Sequence, residues 1–219
     1  MLKLYGFAVS NYFNMVKFAL DFKKVEHQVV NLYPNQEADY LKLSPMGKVP
    51  ALETDQGCLV ETSVILEYID QSYPGPRLYP LEPFANAKVK ELVKMIELYL
   101  ELPARRCFAE AFFGGKVSDE IKQDSKQTLL KGIKALAALG SFSPYVAGKT
   151  LTAADIMFLY SVDLASGVAA KVLGLDLLAE LPQAKDLLKK LAQEPVAIAI
   201  AQARDEQSPA FYKYLSGKK

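Results

Sequence analysis

Apolar positions fall in short strand-like runs over the first third of the chain and in helical stripes beyond it. Residues 2–6 read as a strand, and Met15, Val16, Ala19 and Leu20 follow at the i, i+1, i+4, i+5 spacing of one helix face. Val25 to Leu32 alternates weakly and is rich in β-branched residues, which predicts a second strand and a βαβ unit. A polar segment with Asn35, Gln36, Glu37 and Asp39 comes next. Two short strands, Val49 to Glu53 and Cys58 to Val60, then flank the turn residues Asp55-Gln56-Gly57 as a hairpin. Helix resumes at Thr62, with Val64, Ile65, Tyr68 and Ile69 along one face.

Pro74, Gly75, Pro76, Pro80 and Pro83 crowd into one segment that can continue neither helix nor sheet, and it reads as an interdomain linker. Beyond it the periodic segments are helical. Val89, Leu92, Val93, Ile96 and Leu100 make one stripe and Ile121 to Leu139 another, so this half is a helical bundle. Thr152-Ala153-Ala154-Asp155, ahead of Ile156, Leu159 and Tyr160, has the form of a capping box with Asp in place of Glu and is read as structural. The resulting division is 1–76 as an α/β domain, 77–83 as linker and 84–219 as an all-α helical domain.

Composition narrows the chemistry. Twenty-six basic and 25 acidic residues give a formal charge of +1, no footprint for nucleic acid or an anionic membrane surface. The start runs straight into Leu2-Lys3-Leu4-Tyr5 without a signal-peptide pattern, and no uninterrupted apolar stretch approaches the ~18 residues of a spanning helix, so a cytosolic, cytoplasmic location is expected. Cys58 and Cys107 are too few for a disulfide framework, and with His27 as the single histidine a zinc site of ordinary ligand number is not expected.

The most informative stretch is Ser44-Pro45-Met46-Gly47-Lys48-Val49-Pro50-Ala51-Leu52, followed by Glu61-Thr62-Ser63 at the start of an amphipathic run. A proline opening an apolar strand cannot donate to a sheet ladder, so Val49-Pro50 reads as a turn or a cis bond. The Val49 amide and carbonyl are then open to an extended small peptide, whose carboxylate would meet the amides of the helix starting at Thr62 and Ser63.

These motifs, in order with Leu151-Thr152-Ala153-Ala154-Asp155-Ile156, resemble those of the cytosolic glutathione transferases, nearest to the serine-type theta-like and phi-like classes, and the resemblance runs along nearly the whole chain. It implies a thioredoxin-like N-terminal domain, a helical C-terminal domain and glutathione as a substrate, with no metal. Val49, before a cis Pro50, would pair with the cysteinyl backbone of glutathione, while Glu61 and Thr62 would hold its γ-glutamyl end. Ser63 leaves open which hydroxyl makes that contact, and Lys48 is a candidate for the glycyl carboxylate.

Thiol activation needs an anion stabiliser, because a free thiol has a pKa of about 8.5 and only the thiolate attacks. In the family that residue lies between the first strand and first helix, where this chain has Phe7-Ala8-Val9-Ser10-Asn11-Tyr12-Phe13-Asn14. Ser10 best matches by spacing and can also be a helix N-cap; Asn11, Tyr12 and Tyr5 compete. No cysteine occupies the loop, so disulfide exchange lacks a nucleophile there, and Ser10-Asn11-Tyr12 does not reproduce the Ser-Ser-Cys run of zeta-class isomerases. Cys58 and Cys107 read as small buried hydrophobes.

A second substrate is expected against Tyr12, Tyr99, Arg105, Arg106, Phe108, Phe112 and Phe113, an apolar wall with two cations, although the same aromatics also fit ordinary core and the arginines a solvated face. The expectation is a homodimeric transferase conjugating the thiolate of glutathione to small, mostly apolar electrophiles. Glutathione-dependent peroxide reduction, dehalogenation, or a non-enzymatic interaction module are the alternatives.

Overall fold

The computed structural model describes residues 1–217. Strand β1 (Leu2–Gly6) is the hub of a four-stranded sheet with order β2-β1-β3-β4. It runs parallel to β2 (His27–Asn31), with Leu4 opposite Val29, and antiparallel to β3 (Ala51–Glu53), with Leu4 opposite Leu52. Strand β4 (Cys58–Val60) closes the hairpin after a turn in which the Thr54 amide and hydroxyl both donate to the Gly57 carbonyl, at 2.8 and 2.9 Å. Alternation along β1 buries Leu2, Leu4 and Gly6 and leaves Lys3 and Tyr5 half-buried on the other face. Helices α1 (Asn11–Phe22) and α3 (Thr62–Ser72) pack together, and Met15, Val16, Leu20, Leu52, Ile65, Leu66 and Ile69 are fully buried around Leu4. A short helix α2 (Ala38–Leu41) precedes the Ser44–Leu52 stretch.

The proline-bearing segment begins as part of this unit. The Lys23 ammonium, at the end of α1, lies 3.2 Å from Asp70 Oδ1 and donates to the Pro76 carbonyl at 2.9 Å. Asp70 Oδ1 also accepts the Leu78 amide at 2.7 Å, and Arg77 sits 3.3 Å from Oδ2. One buried carboxylate on α3 thus ties α1 to the chain up to Leu78.

Residues 79–192 form a second compact unit, helical throughout, with α4 (Pro83–Ile96), α5 (Leu102–Arg105), α6 (Phe108–Phe112), α7 (Asp119–Leu139), α8 (Ala153–Leu173) and α9 (Pro182–Ala192). The stripe expected to run through Leu100 is interrupted by a π-helical turn, Glu97–Glu101. Pro103 explains it: the proline has no amide for the Tyr99 carbonyl four residues back, and its ring would clash there. Gly132 of α7 packs on the Tyr99 carbonyl, since a Cβ there would lie 2.5 Å from it. The capping box on α8 is present. Asp155 Oδ2 accepts the Thr152 amide at 2.8 Å, while Oδ1 accepts the Val146 amide at 2.7 Å and fixes the preceding loop. Burial outweighs these bonds and pushes the Asp155 carboxyl up to about 6. Helix α8 is long and apolar enough to cross a membrane by length and composition, yet its apolar positions from Ile156 to Ala169 are mostly buried within this unit.

The last helix, α10 (Pro195–Ser216), groups with residues 1–78 rather than with the helical unit, unlike the expected 84–219 domain. The reason is aromatic packing on the sheet unit. Phe211 lies 5.0 Å from Phe7, ring to ring, and Tyr214 stacks on Tyr33 at 4.1 Å.

Candidate active site

Register places three loops at one end of the sheet. Tyr5, near the C-terminal end of β1, pairs with Ala51, the first residue of β3, and Ala51 pairs with Val60, the last residue of β4. The Phe7–Ser10 turn, the Lys48-Val49-Pro50 segment and Glu61-Thr62 therefore leave three adjacent strands at the same edge.

The middle segment is held by its own neighbours. The Val49-Pro50 bond is cis, and Val49 lies two residues before the β3 ladder begins. The Lys48 carbonyl accepts the Tyr40 hydroxyl at 2.7 Å and the Ser44 hydroxyl at 2.8 Å, while its side chain is exposed. Gly47 makes the bend at φ +62°, and a Cβ there would lie 2.1 Å from the Asn35 carbonyl oxygen. The polar stretch around Asn35 is thus the bed of this loop: Asn35 donates its amide to the Gly47 carbonyl at 3.1 Å.

Glu61 has φ +67° and ψ 112°, a conformation that costs a non-glycine residue roughly 1–3 kcal/mol. It leaves the Glu61 side chain exposed while Thr62, at the first position of α3, is buried and Ser63 half-buried. Glu61 is the N-cap of this 11-residue helix but makes no side-chain cap bond, and no acidic side chain lies in the first turn, so the Glu61 side chain leaves the first amides of α3 uncapped. The pattern suits an ammonium at Glu61 beside a carboxylate at the helix start.

Ser10 is the N-cap of α1, its hydroxyl oxygen accepting the Phe13 amide at 3.3 Å. A hydroxyl that accepts in this way still has its own proton to donate to an anion. Helix α1 likewise has no acid in its first turn. Asn11 and Tyr12 form the first positions of that helix. Tyr5 is committed elsewhere, donating its hydroxyl to Glu53, which also pairs with Lys3 at 2.9 Å. That hydrogen bond, then burial and the charge on Glu53, push the Tyr5 phenol up to about 12. Cys58 is half-buried with its thiol pushed up by burial, and Cys107 is buried.

The other residues expected at an acceptor wall lie in the helical unit. Tyr99 is exposed on the π-helical turn. Arg105 donates from Nε to buried Glu101 at 3.0 Å and lies 4.7 Å over the Phe108 ring, and Arg106 pairs with Asp124. Phe108 meets Phe112 edge-on at 5.2 Å, and Phe112 and Phe113 are both partly exposed. An open cleft of about 570 Å³ runs along Leu98, Leu102, Pro103, Arg105, Arg106 and Thr128. Each of the two arginines pairs with a carboxylate, Arg105 with buried Glu101 and Arg106 with exposed Asp124. Two side chains the sequence did not point to, Asn14 and Gln207, bond the backbone of Ala8 beside Ser10.

Residues 4–77 match the family model described as the glutathione S-transferase N-terminal domain. A glutathione S-transferase of Pseudomonas putida is 51% identical over 220 residues, covering 100% of both chains. Human glutathione S-transferase omega-2 is 34% identical over 105 residues, 47% of this chain and 42% of that protein. Glutathione transferase F2 from Populus trichocarpa shares the fold at a TM-score of 0.79 and 21% identity, over 94% of this chain and 100% of that one. An α/β thioredoxin-like domain carrying these loops, a helical unit after it, and an end-to-end match to the bacterial relative establish that the chain belongs to the glutathione S-transferase family.

Proposed function

We propose that the chain conjugates the thiolate of glutathione to small, mostly apolar electrophiles. The observation that carries this is the convergence at one end of the sheet of a strand-like peptide edge, a carboxylate beside a helix start that its side chain does not cap, and a hydroxyl that accepts at its helix cap and keeps its own proton to donate. Glutathione has an extended backbone for Val49, an ammonium for Glu61, a carboxylate for the Thr62 or Ser63 hydroxyl and the α3 amides, and a glycyl carboxylate for Lys48. Ser10 donates to the sulfur at the positive end of α1 and favours its anion. Rate then comes from that stabilised anion and from holding it near an acceptor, with no covalent enzyme intermediate required.

The same reading makes the protein a cytoplasmic homodimer, with an acceptor wall in the helical unit drawn from Tyr99, Arg105, Arg106, Phe108 and Phe112. It predicts retention on immobilised glutathione and acceleration of conjugation to a chlorinated nitrobenzene. Failure of retention overturns it and favours a non-enzymatic module. Retention with turnover only on peroxides or haloalkanes would reassign the acceptor and leave the thiolate chemistry in place.

A further inference from the structure

We propose that Gln207 of α10 and Asn14 of α1 are positioning residues that together clamp the turn carrying Ser10; this rests on Ser10 as the thiolate donor. The turn runs from Phe7 to Ser10, closed by the Ser10 amide donating to the Phe7 carbonyl at 3.0 Å. Ala8 is one of its two central residues, and both of its backbone poles are held by side-chain amides. Its N–H donates to Gln207 Oε1 at 3.1 Å, and its carbonyl accepts Asn14 Nδ2 at 2.9 Å. Rotation of the peptides on either side of Ala8 would swing Ser10, two residues on, and both rotations now require a hydrogen bond to break.

Two features separate this clamp from ordinary packing. Asn14 is 3% exposed, and its Oδ1 is buried without a hydrogen-bond partner among the described residues. An orphaned buried carbonyl costs stability that an apolar side chain would not incur, so the bond from Nδ2 to Ala8 is the feature the residue supplies. Gln207 comes from 199 residues away, on a helix seated by Phe211 5.0 Å from Phe7 and 5.7 Å from Tyr33. Both clamping groups are neutral. A carboxylate at position 207 could also accept the Ala8 N–H but would put a negative charge beside the helix start where the thiolate forms, and one at position 14 would have no proton to give the Ala8 carbonyl.

The test uses the full-length protein with Gln207→Met, which keeps the volume and removes the carbonyl, and Gln207→Ala as a second variant. The thiol pKa of bound glutathione is read from thiolate ultraviolet absorbance against pH, beside kcat and KM. Expected in both variants are a raised thiol pKa and a kcat about three- to tenfold lower, with the KM for glutathione within about twofold. In a Ser10→Ala background Gln207→Met adds nothing further, because the clamp acts through Ser10. If Ser10→Ala alone leaves the thiol pKa unchanged, the reading of Ser10 fails. If Ser10→Ala raises it while Gln207→Met does not, or the two effects add in full, Ser10 stands and the clamp is overturned.

Discussion

The Lys48–Pro50 segment and the Phe7–Ser10 turn leave the same sheet edge but are secured by opposite means. The first is fixed from nearby, its Lys48 carbonyl taking hydroxyl bonds from Tyr40 and Ser44, eight and four residues back. The second is fixed partly from afar, by an amide 199 residues on. The local anchor belongs to the part proposed to bind the peptide, and the remote one to the part proposed to ionise the sulfur. Binding and activation can therefore be damaged separately, and a mutation should report which segment it has touched.

Ser10→Ala is the strongest test of that separation. It removes a hydroxyl donor to a developing anion, so kcat should fall about 100- to 1,000-fold and the pKa of the bound thiol should rise, while the KM for glutathione stays nearly constant. A large rise in KM with an unmoved thiol pKa would dissolve the comparison. Glu61→Ala should do the reverse. Losing a charge-assisted contact weakens glutathione binding by about 10- to 100-fold, measured by calorimetry, with the thiol pKa little changed. Glu61→Gly loses the same contact but relieves the φ of +67°, so it should melt above Glu61→Ala.

How far these elements were readable in the sequence follows the same divide. The proline motif, the Thr54–Gly57 turn, the cap on α1 and the α8 capping box lie within a few residues of their partners, and short-range spacing displays them. Glu61 could be placed but not its backbone, because a positive φ is ordinarily signalled by glycine or asparagine and nothing marks a glutamate for it. The π-helical turn hides inside an unbroken apolar stripe, Pro103 its only trace. The grouping of α10 with the sheet unit depends on Phe7, Tyr33, Phe211 and Tyr214 meeting across the length of the chain, and the crowded prolines at 74–83 mark where the first segment ends without saying what returns to it. Gln207 was invisible for the same reason.

Tyr40→Phe gives a smaller effect on the local side. It deletes one of two hydroxyls on the Lys48 carbonyl and leaves the Ser44 bond in place, so the loss is about 1 kcal/mol or less. Glutathione KM should rise by about fivefold at most, with kcat and thiol pKa unaltered. A changed thiol pKa would mean that the two segments are mechanically coupled across the sheet edge.

Tyr5→Phe should give the smallest functional effect, and a null result there is informative. Tyr5 pairs in β1 with the first residue of β3, one residue short of the end of β1 nearest the site, yet its proton is given to Glu53. A phenol pushed up to about 12 by that carboxylate stays protonated throughout the neutral range and has its donor occupied. The thiol pKa and kcat should therefore match the unmodified protein. The consequence should appear in alkaline stability instead. The native pKa lies above the unfolded value near 10, so the native state keeps its proton longer; the stabilisation is full below pH 10 and is lost as pH rises through about 12. Stability measured against Tyr5→Phe should show the unmodified protein losing its advantage across that window. A fall in kcat at neutral pH would show instead that Glu53 releases the phenol when glutathione binds, and would move activation from the turn to the strand.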